Sequence, residues 1–271
     1  MSATVNQAVE DCLAKGILNS TCLMMNMPGT ADALKRLAKY EKLSVGVHLN
    51  IIQGRTVDIH PAFNSLLYNQ DGIFRHGFFG IMLRSLNAEY MQEVEHEFRS
   101  QIENMMKVKK PDRIDSHVHV HAIPAIFDLV CRLAREYDIP CVRTQHEFAY
   151  DIPGFAHFFS PKYYINTVKV LLLNFFTFFN KKTLKKYGLK SNDCVIGVGY
   201  TGMMTEKAIA FGVRAARKNK KANILEIICH PDINSIRKSN YTEYKALLSS
   251  KLKRNLSSAE FTTYEEISEN V

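Results

Sequence analysis

The chain has 271 residues, 46% hydrophobic and 23% charged, a composition that excludes disordered and collagen-like classes and leaves ample material for a buried core. Lys and Arg number 35 against 27 Asp and Glu, a formal charge of +8. The basic runs at 107–110, 181–186 and 217–221 are short, scattered and not interleaved with aromatics. They read as solvated helix ends, and nucleic acid is not an expected partner.

Helical and extended segments alternate from the start. Val5, Ala8, Val9, Cys12 and Leu13 follow helical spacing, with Gly16 as the stop. Residues 17–26 read as a strand, 29–40 as a helix and 44–50 as a short strand. A loop-rich stretch with Gly54, Gly72, Gly77 and Gly80 runs from about 51 to 86, long enough to be a functional loop. A helix over about 87–107 leads into "RIDSHVHVHAIP" at 113–124, read as a strand. A helix at 126–138 and a strand at 139–144 follow. Residues 145–190 read as irregular around an aromatic helix. Strands at 193–200 and 222–230 flank a helix over about 205–218, and a last helix and strand finish the chain. Repeated β-α units predict a parallel sheet, open or closed into a barrel, in one domain spanning 1–271.

The six cysteines stand singly, with no Cys-x-x-Cys pair, which predicts buried free thiols in a reducing, cytoplasmic setting. The most apolar run, 168–180, is short and is interrupted by Lys169 and Asn174. It predicts a buried or interface helix rather than a membrane span, with a homodimer as one option.

In β/α folds, ligands bind at the carboxyl ends of strands. His48, the histidines of 117–121, Arg143 and His230 all fall at such ends, and that convergence marks a site. On a strand, Asp115, His117, His119 and His121 share one face while Ile114, Val118 and Val120 take the other. A rise of about 3.3 Å per residue would set Asp115 and His121 roughly 20 Å apart, so all four cannot hold one ion. One or two can be ligands, and imidazole with carboxylate suits zinc or, with waters, magnesium or manganese.

"VGVHLNIIQGRTV", "RIDSHVHVHAIP" and "LEIICHPD" resemble, in order and spacing, the YdjC-like carbohydrate deacetylases. The likeness runs from about residue 2 to about 235. It implies a TIM-like, distorted (β/α) barrel, a divalent metal, commonly Mg2+ with Zn2+ as the alternative, and hydrolytic removal of acetyl groups from N-acetylated sugars or chito-oligosaccharides. By the resemblance, His48 and His117 are metal ligands and His230 a candidate general acid. Asp115, His119, His121 and Arg143 become substrate or orienting groups. Phe148, Tyr150, Phe155, Phe158 and Tyr163 are candidates for stacking on sugar rings, with core or dimer packing as the competing use.

One departure stands out. Family members begin with an apolar strand ending in Ala-Asp-Asp-Phe-Gly, whereas this chain starts at Met1-Ser2, after that motif. The resemblance assigns one motif aspartate to the metal and the other to the general base. Asp11 and Asp32 belong to the following helices and do not replace them. A misplaced start is the expected cause, and true loss of the motif the alternative. Either way a gap with two unpaired strand edges is expected. The rival readings are a sugar-binding relic without turnover and a deacetylase of a lipid-linked sugar.

Overall fold

The computed structural model describes residues 1–58, 65–152, 154, 159–219 and 222–269; Phe155, Phe158, Lys220 and Lys221 lie outside them. Among the described residues, six short strands alternate with helices: β1 (Ser20–Leu23), β2 (Ser44–Leu49), β3 (Arg113–Ser116), β4 (Cys141–Val142), β5 (Cys194–Ile196) and β6 (Leu225–Ile227). β1 to β4 lie side by side in chain order, all parallel, and β5 pairs in parallel with β6. A parallel bridge from Cys141 to Lys190 and a 2.7 Å bond from the Val195 N–H to the His146 carbonyl carry the ladder from β4 towards β5. This is the expected α/β fold, following a distorted, TIM-like course. Among the described residues, the far edges of β1 and β6 have no strand partner. A cavity of about 360 Å³ lies between them, lined by Asn19, Ser20, Leu225, Ile227, Phe261 and Tyr264.

The helices form where the sequence caps and patterns them. Ser2 caps α1 (Ala3–Lys15) by accepting from the Val5 N–H, and Asn87 caps α4 (Ala88–Met106) through the Tyr90 N–H. Along α4, Tyr90, Val94, Phe98, Ile102 and Met105 repeat at three to four residues and are fully buried. They press on Val45, Val47 and Leu49 of β2 and on Phe127 and Val130 of α5 (Pro124–Glu136). Each such side chain contributes about 1.5–3 kcal/mol relative to exposure. A second cluster joins β5 to α7 (Glu206–Arg217) through Ile196, Ala208, Ile209 and Val213.

Four readings are corrected. The strand over 113–124 ends at Ser116, and residues 117–122 form a 3-10 turn in which Val118 (φ 52°) and His119 (φ 61°) are left-handed. The Ser116 hydroxyl accepts from the His121 N–H at 2.8 Å and stops the extended run; Pro124 then opens α5. The helix expected at 29–40 is α2 (Thr30–Leu37), but the loop-rich stretch after it holds a helix that was not foreseen, α3 (Phe78–Arg84). Much of 145–190 is one long helix, α6 (Pro161–Tyr187), closed by left-handed Gly188. The chain finishes in α8 (Lys238–Leu247), α9 (Ser250–Asn255) and α10 (Tyr264–Glu269), and no strand follows β6 among the described residues. Short polar and charged stretches carry too little periodicity to separate such endings.

Candidate active site

Parallel pairing sets His48 of β2 directly beside Asp115 of β3. His48 Nδ1 lies 2.7 Å from Asp115 Oδ1, and Cys22 of β1 brings its sulfur to 3.3 Å from the same nitrogen. Asp115 is fully buried and also pairs with Arg143, just past β4. Arg143 continues to Glu226 of β6, where Nε meets Oε2 at 2.7 Å, and the Tyr264 hydroxyl donates to the same oxygen at 2.6 Å. A buried chain of alternating charge, His48–Asp115–Arg143–Glu226, thus crosses the carboxyl ends of the strands.

Each charge answers the next. Burial pushes the Asp115 carboxyl up, but Arg143 and His48 outweigh it and hold it well below the usual carboxylate range. Burial pushes His48 down, while Cys22 and Asp115 bring it up to about 10. A raised imidazole stabilises the fold fully below its unfolded value of about 6.5. That contribution is lost as pH rises through about 10. The depressed Asp115 works at the other end: its contribution is present above its unfolded value and disappears in acid. Between pH 6.5 and 10 the wild-type chain is therefore expected to lose on the order of 3 kcal/mol more than a His48→Asn variant. Thermal melts at stepped pH check this, and parallel curves would remove the pair from the account.

The predicted residues sort into two groups. His117, first in the 3-10 turn, sets its ring 6.0 Å from that of His48 at an interplanar angle of 66°. Burial, with the charges of His48, His230 and the chain's amino group, lowers it to about 4, so its imidazole is neutral at neutral pH, whereas His48, raised to about 10, has to release its proton before it can ligate. His230 follows β6 and is half exposed, its Nδ1 3.7 Å from buried Glu243, which also accepts from the His230 N–H at 2.5 Å. The His48 and His117 rings are neighbours, and His230 lies within electrostatic reach of His117.

His121 and His119 turn away from the expected shared face. His121 folds back under Ser116 (Nδ1 to Oγ 2.5 Å) and reaches the Arg143 carbonyl with Nε2 at 3.1 Å. It braces the charged chain instead of facing a substrate, which corrects the expected spread of about 20 Å from Asp115. His119 is buried, with Nδ1 making no hydrogen bond, and burial together with Lys169 holds its ring well below the ordinary value. Of the aromatic candidates, Tyr150 and Tyr163 pack around Tyr200 at 5.0 and 5.9 Å in the β5–α7 cluster. Phe148 stands edge-on to His146 at 4.7 Å.

Three groups escaped the sequence reading. Cys22 completes, with His48 and Asp115, a set of ligand-type atoms within 4.8 Å of one another. Glu226 is a lone carboxylate inside an apolar strand, a signal that was there to be used. Asp232, 1% exposed, keeps Oδ2 without a hydrogen bond and has Arg237 at 3.7 Å.

The donors His48 and His117, with rings 6.0 Å apart, suit a divalent ion only when His48 has given up its proton. Nδ1 of His48 is taken by a buried carboxylate, the usual arrangement that orients a ligating imidazole and leaves Nε2 for the ion. Asp115 is committed to Arg143 and His48 and serves as the orienting group.

Comparisons with known proteins identify the family. The family described as YdjC-like protein matches residues 1–258. A carbohydrate deacetylase of Halalkalibacterium halodurans is 36% identical over 145 residues, which cover 53% of this chain and 59% of that protein. A chitooligosaccharide deacetylase of Yersinia pestis is 30% identical over 169 residues, covering 59% and 63%. The chain thus spans less than two thirds of the length of these relatives. An Enterococcus faecalis crystal structure, of a protein for which cellobiose-phosphate cleavage has been suggested, superposes with a TM-score of 0.72 at 21% identity, over 98% of this chain and 94% of that one. That likeness supports the distorted barrel. With the family pattern matched over nearly the whole chain and its histidines gathered at one rim, the chain belongs to the YdjC-like family.

Proposed function

We propose that this protein is a metal-dependent hydrolase that removes acetyl groups from N-acetylated sugars of the chito-oligosaccharide kind. The observation that carries the reading is the placement of a carboxylate-oriented His48 beside His117 at the carboxyl ends of β2 and β3. These residues would hold a divalent ion, magnesium or zinc. Such an ion supplies Lewis-acid polarisation of a carbonyl and lowers the pKa of a water.

The chain's own residues supply the rest. Asp115 fixes the His48 tautomer and ring plane, and Arg143 keeps that carboxylate ionised. His230, half exposed and steadied by Glu243, has access to solvent and lies within electrostatic reach of His117. It is the group to pass a proton to the departing sugar amine. None of these described residues is given the role of carboxylate base, which the family resemblance assigns to the Asp-Asp-Phe-Gly motif.

The test is acetate release from N,N′-diacetylchitobiose with magnesium or zinc. It compares this chain with a version extended upstream by the family's strand through Asp-Asp-Phe-Gly. Turnover in the extended version, with much less in the chain alone, is expected. Silence in both forms, with every metal tried, would overturn the reading.

A further inference from the structure

α6 presents two contrasting faces. Leu173, Phe176, Thr177, Asn180 and Leu184 are buried, and the helix packs on α5 and on the 3-10 turn that begins with His117. The opposite face is apolar and open. Tyr164, Val168, Leu171, Phe175 and Phe178 follow one another at four, three, four and three residues, and each is about 60% exposed. Ile165 (66%) and Phe179 (43%) widen the stripe. At 1.5 Å per residue it runs about 22 Å along the helix. Isolated exposed hydrophobics need no explanation, but a continuous stripe of this kind marks a contact surface.

Its charge says what kind of surface it meets. The 27 residues of α6 contain no Asp or Glu. Lys162 stands before the stripe, and the same face runs on into Lys182, Lys185 and Lys186. Lys182 leans over the Phe178 ring at 5.5 Å, and Lys186 reaches Asp128 at 3.1 Å. A second copy of this chain would bring its own lysines and no carboxylate on the facing helix, so like charges would meet. An anionic lipid surface complements both features at once, taking the apolar side chains among its acyl chains and the ammonium groups among its phosphates. A second element agrees: α3, also acid-free, packs on the same 3-10 turn and leaves Phe79 and Leu83 about two thirds exposed. Among the described residues no helix is long and apolar enough to cross a membrane.

We infer that the exposed face of α6 docks this protein on the surface of an anionic lipid bilayer, with the helix lying along the interface. This docking does not depend on the deacetylase reading.

Vesicle co-sedimentation tests it. The chain should bind phosphatidylcholine vesicles that contain phosphatidylglycerol, and release from them as salt is raised. Pure phosphatidylcholine should bind at least about tenfold more weakly, since each lysine near an anionic surface contributes about 1 kcal/mol. A Leu171→Ser/Phe175→Ser/Phe178→Ser variant alters only exposed side chains, so its circular dichroism and melting temperature should hold while anionic-vesicle binding falls at least about tenfold. A Lys182→Glu/Lys185→Glu variant should lose binding to the same vesicles. No sedimentation with anionic vesicles overturns the inference. So does a dimer in analytical ultracentrifugation that the triple serine variant dissolves while neither protein binds lipid, because the face would then join two copies.

Discussion

Replacing Arg143 by methionine is expected to destabilise the protein by about 3–5 kcal/mol, the cost of stranding buried charge. Arg143 is 6% exposed and holds two carboxylates, Asp115 and Glu226, the first of them fully buried. Methionine fills much of the volume but offers no donor, so both carboxylates lose their closest cation. Arg113 also lies within electrostatic reach of both, but its guanidinium is engaged with Asp112, the Thr21 carbonyl and the Tyr264 ring. Lysine should rescue only partly, because Arg143 spans Asp115 and Glu226 with three different nitrogens and a single ammonium cannot. Urea denaturation reads the effect directly. Adding Glu226→Gln to the methionine variant should return part of the loss, since one of the stranded charges is gone. A loss under about 1 kcal/mol would mean that water or local rearrangement satisfies both acids, and that the charged chain is not what holds the strand ends together.

The alternation of strand and helix was legible because each element carries its own signal. β2 is an apolar run, α4 buries a face at helical spacing, and α5 does the same from Pro124 onward. The histidine stretch misled for a definite reason. "DSHVHVH" alternates polar and apolar residues as a strand does, yet the outcome turned on one serine hydroxyl capturing the His121 N–H and on two residues accepting left-handed backbone. Neither feature has a periodicity to detect. His48, His117, Arg143 and His230 were picked out from strand ends, and the structure sets His48 beside His117 and links it through Asp115 to Arg143. Glu226 was not: its place inside an apolar strand signals a buried partner, but that partner, Arg143, lies 83 residues away and the local sequence does not name it. The length of α6 was hidden for the opposite reason: it is apolar on almost every side, so no single face stood out.

His117→Ala is expected to cut acetate release by more than about a hundredfold in the extended version, and to weaken zinc or magnesium binding by a similar factor. His117 suits this experiment because its ring is only partly buried and opens the 3-10 turn instead of bracing it. Its loss should therefore leave the melting temperature nearly unchanged. His121→Ala supplies the contrast. It removes the contacts to Ser116 and to the Arg143 carbonyl from a fully buried position, which should cost about 2–4 kcal/mol in stability. Binding calorimetry with the metal alone separates the two roles without relying on turnover. A ligand loses affinity and keeps stability, whereas a brace loses stability first. His48→Ala should do both, since it abandons the ion and strands Asp115 together. If His117→Ala kept full metal affinity and full turnover, the ion would have to be held elsewhere. The set of Cys22, His48 and Asp115 would then be the place to look, because its ligand-type atoms already lie within 4.8 Å of one another.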